Sequence, residues 1–498
     1  MVISYAYQQL AETCFRLRQQ EGFPLCAIDW LHFSNARSDT QKAILSGLSA
    51  PRFLESLLRG PWLLLRSFHL CFLVVWTNLV LRHRIATFEQ SSFDLVAKTW
   101  TPSAKIDVND FYYGDFQKRI GAEQRTMLLL CGNVSRKNWR NFLRQFDDEK
   151  SVNQIPDICF FTLSDILRMF FLQCFAAFRM HRLSRRERDP LRKNIVLWAR
   201  THLLRFQTMM NGLNFFLAAR VVRQFQPKAY VALYEGHAWE ECSWRGVKST
   251  GLSCKTVGYQ HTVIMSRALD LLKPESNGSI QPDIILCSGR RSLEMMQKGI
   301  RKNISQYLVF GSFRTFKNGA SLRPHQGQPV ILVTPEGILE EAALLFNVAI
   351  ETAQKLKGCH FIFRCHPVLP MTKVLPVLNS DPGLLPNIEM SSNNFDADLD
   401  RSSILFYRGS STVLYAILKG LRPIYYHTGG EIIDPLHELS EWKINVASSA
   451  ELQKVLANWN RNFDQESEVL WKKAKEYVQD YVLPVEDSSL KNFLGVLN

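Results

Sequence analysis

From residue 211 to residue 481, short apolar runs alternate with amphipathic stretches of helical length, and this alternation most narrows the folds open to the chain. Strands joined through helices cross over and return parallel, so the pattern predicts doubly wound α/β sheets. The last unit is the clearest. Residues 330–334 (VILVT) read as a buried strand and Pro335-Glu336-Gly337 as a turn. Ile338, Ala342, Leu345, Phe346, Ala349, Ala353 and Leu356 then mark one face of a long helix that Gly358 closes. Further strands are predicted over 359–364, 403–407 and 423–427. Helices follow over 412–419, from the Ser448/Glu451 capping box to Trp459, and over 466–481.

The preceding unit has the same rhythm. Strands are predicted at 126–131, 228–234, 255–259, 283–287 and 307–310, and helices at 215–225, 238–251 and 290–299. Residues 311–328, with Pro324 and several Gly, Ser and Asn, read as an inter-domain linker. Residues 1–125 show no α/β rhythm. The expected architecture is α/β: a helical extension over 1–125 and Rossmann-like domains over 126–320 and 328–481, the two facing across a cleft.

Composition sets outer bounds. The chain is 46 % apolar and 21 % charged, as expected of a globular protein with a sizeable core. Its eleven cysteines form no C-x-x-C pair and no zinc-finger spacing, which points to reduced thiols in the cytoplasm. Residues 1–8 lack a basic region followed by an apolar run, so no signal peptide is expected. The net charge of +14 is unevenly placed. Residues 321–498 hold 16 Lys+Arg against 21 Asp+Glu, and residues 1–320 hold 44 against 25. A basic first part suits an anionic partner or a solvated basic face. No nucleic-acid-binding motif accompanies it. Residues 67–81 are mostly apolar, flanked by Arg66 and by Arg82-His83-Arg84. The stretch is shorter than the roughly 20 residues of a spanning helix. It reads as a buried or interfacial helix, with a true span over 62–81 as the lesser alternative. Residues 158–178 are similar and lead into a run of arginines over 179–192. That pairing suits an anionic leaflet, or equally a core helix followed by a solvated one. The expected location is cytoplasmic, with peripheral contact at the inner face of the plasma membrane.

In open α/β sheets ligands bind beyond the carboxyl ends of the strands, so chemistry is sought there. Residues 403–407 are followed by Gly409-Ser410-Ser411-Thr412 opening a helix, a phosphate seat in which glycine permits close approach and hydroxyls donate. Residues 359–364 are followed by His366-Pro367, an imidazole that can bind or protonate a phosphate. In the first turn, Gly337 permits approach and Glu336 can hold a ribose hydroxyl. In the first domain, residues 228–234 lead to Glu235-Gly236, a carboxylate able to take a proton from an acceptor hydroxyl, with Glu240 and Glu241 as fallback bases. His261 follows the next strand, and Asp434 follows the Gly429-Gly430 loop, where it can touch sugar or base. Asp396-Ala397-Asp398 is read as part of a polar loop, so no metal site and no cofactor beyond a nucleotide-sugar substrate is expected.

Glu235-Gly236, His366-Pro367 and Ser410-Ser411 together resemble, in order and strand-end placement, the motif set of bacterial CMP-sugar transferases of GT-B fold, the sialyl- and Kdo-type enzymes. The likeness covers roughly residues 210–440. The family's acidic motif is two acidic residues before the glycine, whereas Tyr234 fills the first place here. The stretch 407–423 is similar, more loosely, to CDP-glycerol glycerophosphotransferases. The resemblance implies a metal-independent, inverting glycosyl transfer to a surface polysaccharide or lipid-linked glycan. Glu235 would be the base, and His366, Pro367, Ser410 and Ser411 would lie on the donor phosphate. The alternatives are a UDP- or GDP-sugar or CDP-polyol transferase using Glu431, a nucleotide-dependent epimerase, and a scaffold that kept the fold without the chemistry.

Overall fold

Seven parallel strands make one sheet in the first unit of the computed structural model: β1 (Leu95–Thr101), β2 (Met127–Asn133), β3 (Gln154–Pro156), β4 (Ala229–Leu233), β5 (Lys255–Gln260), β6 (Ile284–Cys287) and β7 (Gln306–Val309). Their order is β3-β2-β1-β4-β5-β6-β7, so the winding reverses between β1 and β4. The structure describes residues 5–34, 38–51, 58–89, 91–101, 110–134, 138–146, 153–272, 281–298, 305–313, 328–367, 369–428, 434–439, 441–459 and 465–498. Two units divide the chain. One holds Met1–His261, Arg267–Arg314 and Pro484–Asn498; the other holds Thr262–Ser266 and Thr315–Leu483.

The separate extension expected over 1–125 is corrected by β1, which pairs with β2 on one side and β4 on the other at the centre of the sheet. Its sequence LVAKTWT hides it. A strand buried on both faces normally reads as a continuous apolar run, and Lys98 interrupts this one. The Lys98 ammonium is fully buried, bonded to Asp157 and 4.7 Å from the Trp100 ring centroid. Helix α1 (Tyr5–Glu21) belongs to the same core, through Leu10, Cys14 and Leu17. So does the final helix Asp487–Val496, through Leu490 and Phe493. Four other helices of this unit are α2 (Arg59–Val80), α3 (Leu163–Arg186), α4 (Phe206–Phe225) and α5 (Ala238–Lys248). α2 is long and apolar enough to cross a membrane, yet Leu63, Leu70, Leu73 and Val74 put one of its faces in the core.

The second unit is a six-stranded parallel sheet: β8 (Val330–Pro335), β9 (His360–Phe363), β10 (Ile388–Met390), β11 (Ile404–Arg408), β12 (Arg422–Tyr426) and β13 (Ile444–Val446). The order β10-β9-β8-β11-β12-β13 places the reversal between β8 and β11. Helix α6 (Leu339–Lys355) covers one face through Ala342, Leu345, Phe346 and Ala349, with Phe346 stacked on Phe363 at 4.5 Å. Helix α7 (Thr412–Leu418) follows β11 directly. The segment Thr262–Ser266 counts with this unit because Ile264 N–H donates to Tyr481 Oη at 2.9 Å.

Three further readings change. Pro335 ends β8 instead of opening a turn. Asp396 and Asp398 lie in a helix, Phe395–Arg401, where Asn394 caps the start and Asp398 is fully buried against Arg364 at 2.8 Å and Arg401 at 3.0 Å. Of the linker expected over 311–328, residues 311–313 count with the first unit and 314–327 lie outside the described residues. Gly429, Gly430 and Glu431 also lie outside them.

Candidate active site

Each sheet has one place where neighbouring crossovers leave in opposite directions and open a crevice at the carboxyl edge. In the first unit that place lies between β1 and β4, and the residues after β4 are Tyr234, Glu235 and Gly236. Glu235 is half-buried. Its Oε2 lies 3.0 Å from His237 Nε2, and its Oε1 lies 3.3 Å from His261 Nε2, beyond the end of β5. A carboxylate between two imidazoles is thus set at the switch point. The Tyr112 ring stands perpendicular to His261 at 5.0 Å and walls it on one side.

The turn that presents Glu235 is built by Glu240. That side chain is buried, and its carboxylate accepts the backbone N–H groups of Glu235, Gly236 and His237 at 2.9 to 3.1 Å. Expected as a fallback base, Glu240 has its oxygens committed to the start of α5. Burial pushes the Glu240 carboxyl up to about 8, against the pull of His237, while the charge of Glu235 pushes the same way as burial. Burial alone would lower His237, but its hydrogen bond to Glu235 and the charges of Glu240 and Glu235 outweigh that and hold it at about 9. His237 is therefore a cation at neutral pH. Gly236 is obligatory here. Its φ is +81°, and a β-carbon would stand 2.9 Å from Cβ of Asp270.

Behind this turn lies a charged layer with no sequence signal. Arg18 of α1 is fully buried and reaches Glu241 at 3.1 Å and Asp270 at 2.6 Å. Arg245 holds the other oxygen of Glu241 at 2.8 Å. Glu241 is thus tied between two arginines and is not a fallback base. Burial, and then the Arg18 charge, drive His32 well below its ordinary range. Arg18, His32, His237, Glu240, Glu241 and Asp270 line a cavity of about 20 Å³, room for a single water. His237, Arg18, Asp270 and Tyr112 all went unassigned in the sequence reading. Only His237, adjacent to Glu235-Gly236, carried a local signal.

In the second unit the switch point between β8 and β11 gathers Glu336 and the Gly409–Thr412 turn. Gly409 has φ +66°, and a β-carbon there would lie 2.8 Å from the Glu336 carboxylate carbon. A hydroxyl chain runs from Thr334 to Thr412 at 2.9 Å and on to Ser410 at 2.8 Å. Ser411 occupies the N-cap position of α7 without a side-chain capping bond and is exposed. Gly337 follows Glu336 in the same β8 loop. His366 and Pro367, beyond the end of β9, are exposed, and partial desolvation of the imidazole lowers His366. An imidazole at this strand end can offer a hydrogen bond to a phosphate.

Asp434, expected as a sugar or base contact, is tied into the interior of the second unit. It is buried, accepts Tyr407 Oη at 2.7 Å and Leu436 N–H at 2.9 Å, and pairs with Lys443. It does border a cavity of about 410 Å³ that His427, His437, Lys443 and Asn445 also line, beyond β12 and β13. Among the described residues no group of three or more His, Cys, Asp or Glu side chains is placed to hold a metal ion.

No protein-family model matches the chain, and no curated protein matches its sequence. Solved structures are similar to it over about four fifths of the chain. The S. aureus MnaA–UDP complex is 10 % identical over 81 % of this chain and 97 % of its own, with a TM-score of 0.48. The glycotransferase of kitacinnamycin is 9 % identical over 82 % and 99 %, with a TM-score of 0.46. The UDP-GlcNAc 2-epimerase from Neisseria meningitidis bound to UDP-GlcNAc is 10 % identical over 81 % and 100 %, with a TM-score of 0.45. At these scores the likeness adds nothing to what the two sheets show by themselves.

Proposed function

We propose that the chain is a glycosyltransferase of GT-B type that takes a sugar from a nucleotide donor without a metal ion and inverts its configuration. The observation that carries the reading is the coincidence of the two candidate sets with the two switch points: Glu235 in the first sheet, Glu336 and Gly409 to Thr412 in the second. On this reading the second unit binds the nucleotide. The hydroxyls of Ser410 and Ser411 hold the donor phosphate, Gly409 and Gly337 let it come close, Glu336 takes a ribose hydroxyl, and His366, followed by Pro367, donates to the phosphate. The first unit supplies proton chemistry. Glu235 deprotonates the acceptor hydroxyl, His261 flanks the carboxylate at its other oxygen, and cationic His237 donates to it. The acceptor is a surface polysaccharide or lipid-linked glycan.

The test is thermal stabilisation by CMP, CDP, UDP and GDP, because a nucleotide that binds only the native state raises Tm by mass action. Stabilisation that Gly409→Ala removes supports the nucleotide seat. CMP as the stabilising base fits the motif resemblance; UDP or GDP moves the donor to the other nucleotide-sugar classes. No stabilisation by any of the four, together with a surface-polysaccharide output that survives Glu235→Gln, would leave a scaffold.

A further inference from the structure

The first unit presents a surface that glycosyl transfer does not require. On α2, Leu65, Phe68, Phe72, Val75 and Leu79 recur at helical spacing and face solvent, with Phe68 63 % and Phe72 65 % exposed. The opposite face of α2 lies in the core. On α3, Leu163, Leu167, Phe171, Phe175 and Phe178 repeat the arrangement, Phe171 and Phe175 being 66 % and 68 % exposed. The two helices pack against one another. Monomers seldom leave a large apolar patch uncovered unless something docks on it.

The surrounding charge names the occupant. α2 contains no Asp or Glu, and the one acid of α3, Asp165, is buried against Arg220 at 2.6 Å. The last turns of α3 expose Arg182, Arg185 and Arg186. Beside the start of α3 opens a cavity of about 460 Å³ lined by Arg168, Arg220 and Arg223 against the single carboxylate of Asp165. Phenyl and leucyl groups bordered by guanidinium groups suit the acyl–headgroup boundary of an anionic leaflet. We propose that α2 and α3 form an interfacial docking face for an anionic lipid bilayer. The face lies on the membrane and does not cross it, because the inner side of α2 is occupied by the core of the first unit. A second copy of the chain is the poorer occupant, since it would bring two arginine clusters together.

Flotation of the full-length protein with phosphatidylcholine vesicles, with and without phosphatidylserine, tests this. The expected result is recovery at least about tenfold higher with phosphatidylserine, since each basic side chain near such a surface contributes about 1 kcal/mol, and loss of that excess at high salt. Phe72→Asp with Phe171→Asp should abolish flotation and leave Tm unchanged, because both rings are exposed. Arg182→Glu with Arg185→Glu should remove the phosphatidylserine preference. Equal recovery with both vesicles, or flotation that survives the double aspartate variant, overturns the proposal. A concentration-dependent dimer that the aspartate variant dissociates, without any flotation, would instead assign the face to a second copy.

Discussion

His237 donates through Nε2 to Glu235 across a single turn, at 3.0 Å, so a cation and a carboxylate emerge together from the carboxyl end of β4. Replacing Glu235 with Gln keeps the shape and removes the base. Turnover should fall by about 10²- to 10⁴-fold, with nucleotide-induced stabilisation unchanged. Single-turnover transfer assays beside thermal shifts check both halves. A fall smaller than tenfold would remove Glu235 from the chemistry.

The same pair predicts a pH limb. His237 holds its proton up to about 9, and below that pH the cationic ring donates to Glu235 and fixes its orientation. Activity should decline as pH passes about 9, and His237→Gln should flatten that decline while lowering the plateau. A variant whose pH profile merely scales down would mean that His237 is structural.

Stability should also respond to pH, with a definite sign. The Glu240 carboxyl titrates near 8 in the fold against an ordinary 4.5, so its contribution is complete below 4.5 and lost as pH rises through 8. The raised His237 has the same sign, complete below 6.5 and lost as pH rises through about 9. The wild-type melting temperature should therefore drop between about pH 5 and pH 9. Glu240→Gln should melt lower at pH 5 and show a flatter profile up to pH 8. Parallel curves for the two proteins would contradict the assignment.

Gly409→Ala forces a β-carbon into a left-handed turn and against Glu336. Destabilisation of about 1 kcal/mol or more is expected, along with loss of nucleotide-induced stabilisation. Ser411→Ala, on an exposed side chain, should weaken the nucleotide effect and spare Tm. Isothermal titration with the stabilising nucleotide separates the two.

Arg18→Met leaves Glu241 and Asp270 without their shared cation in a buried layer. Removing one partner of such a group costs about 3–5 kcal/mol, so the variant should unfold at clearly lower denaturant. A midpoint within error of wild type would show that water replaces the guanidinium.

Much of the fold was legible because β2, β4 to β9, β11 and β12 are apolar runs, most of them alternating with helices at ordinary spacing. β1 was not, since Lys98 breaks its pattern and the carboxylate that pairs with it in the interior, Asp157, lies 59 residues away in sequence. Without β1 the reversal next to β4 is invisible in the sequence, and Glu235-Gly236 stands out by its strand end alone. Asp434 and Glu240 had the right residue type at the right edge, but their partners, Tyr407, Lys443 and the backbone of 235–237, follow from packing and not from spacing. The approach of His261 to Glu235 is tertiary in the same way.

The first unit closes only with residues 484–498. Arg119 donates to the Val485 carbonyl at 2.8 Å, Phe493 joins the Phe116–Phe310 cluster, and Gly311 leaves no space for a side chain against the Pro484 backbone. On the ribosome, then, the unit begun first is finished last. The second domain can complete its sheet while its predecessor still waits for a closing helix, so a chain cut after Leu483 would injure the half of the protein farthest from the cut in sequence.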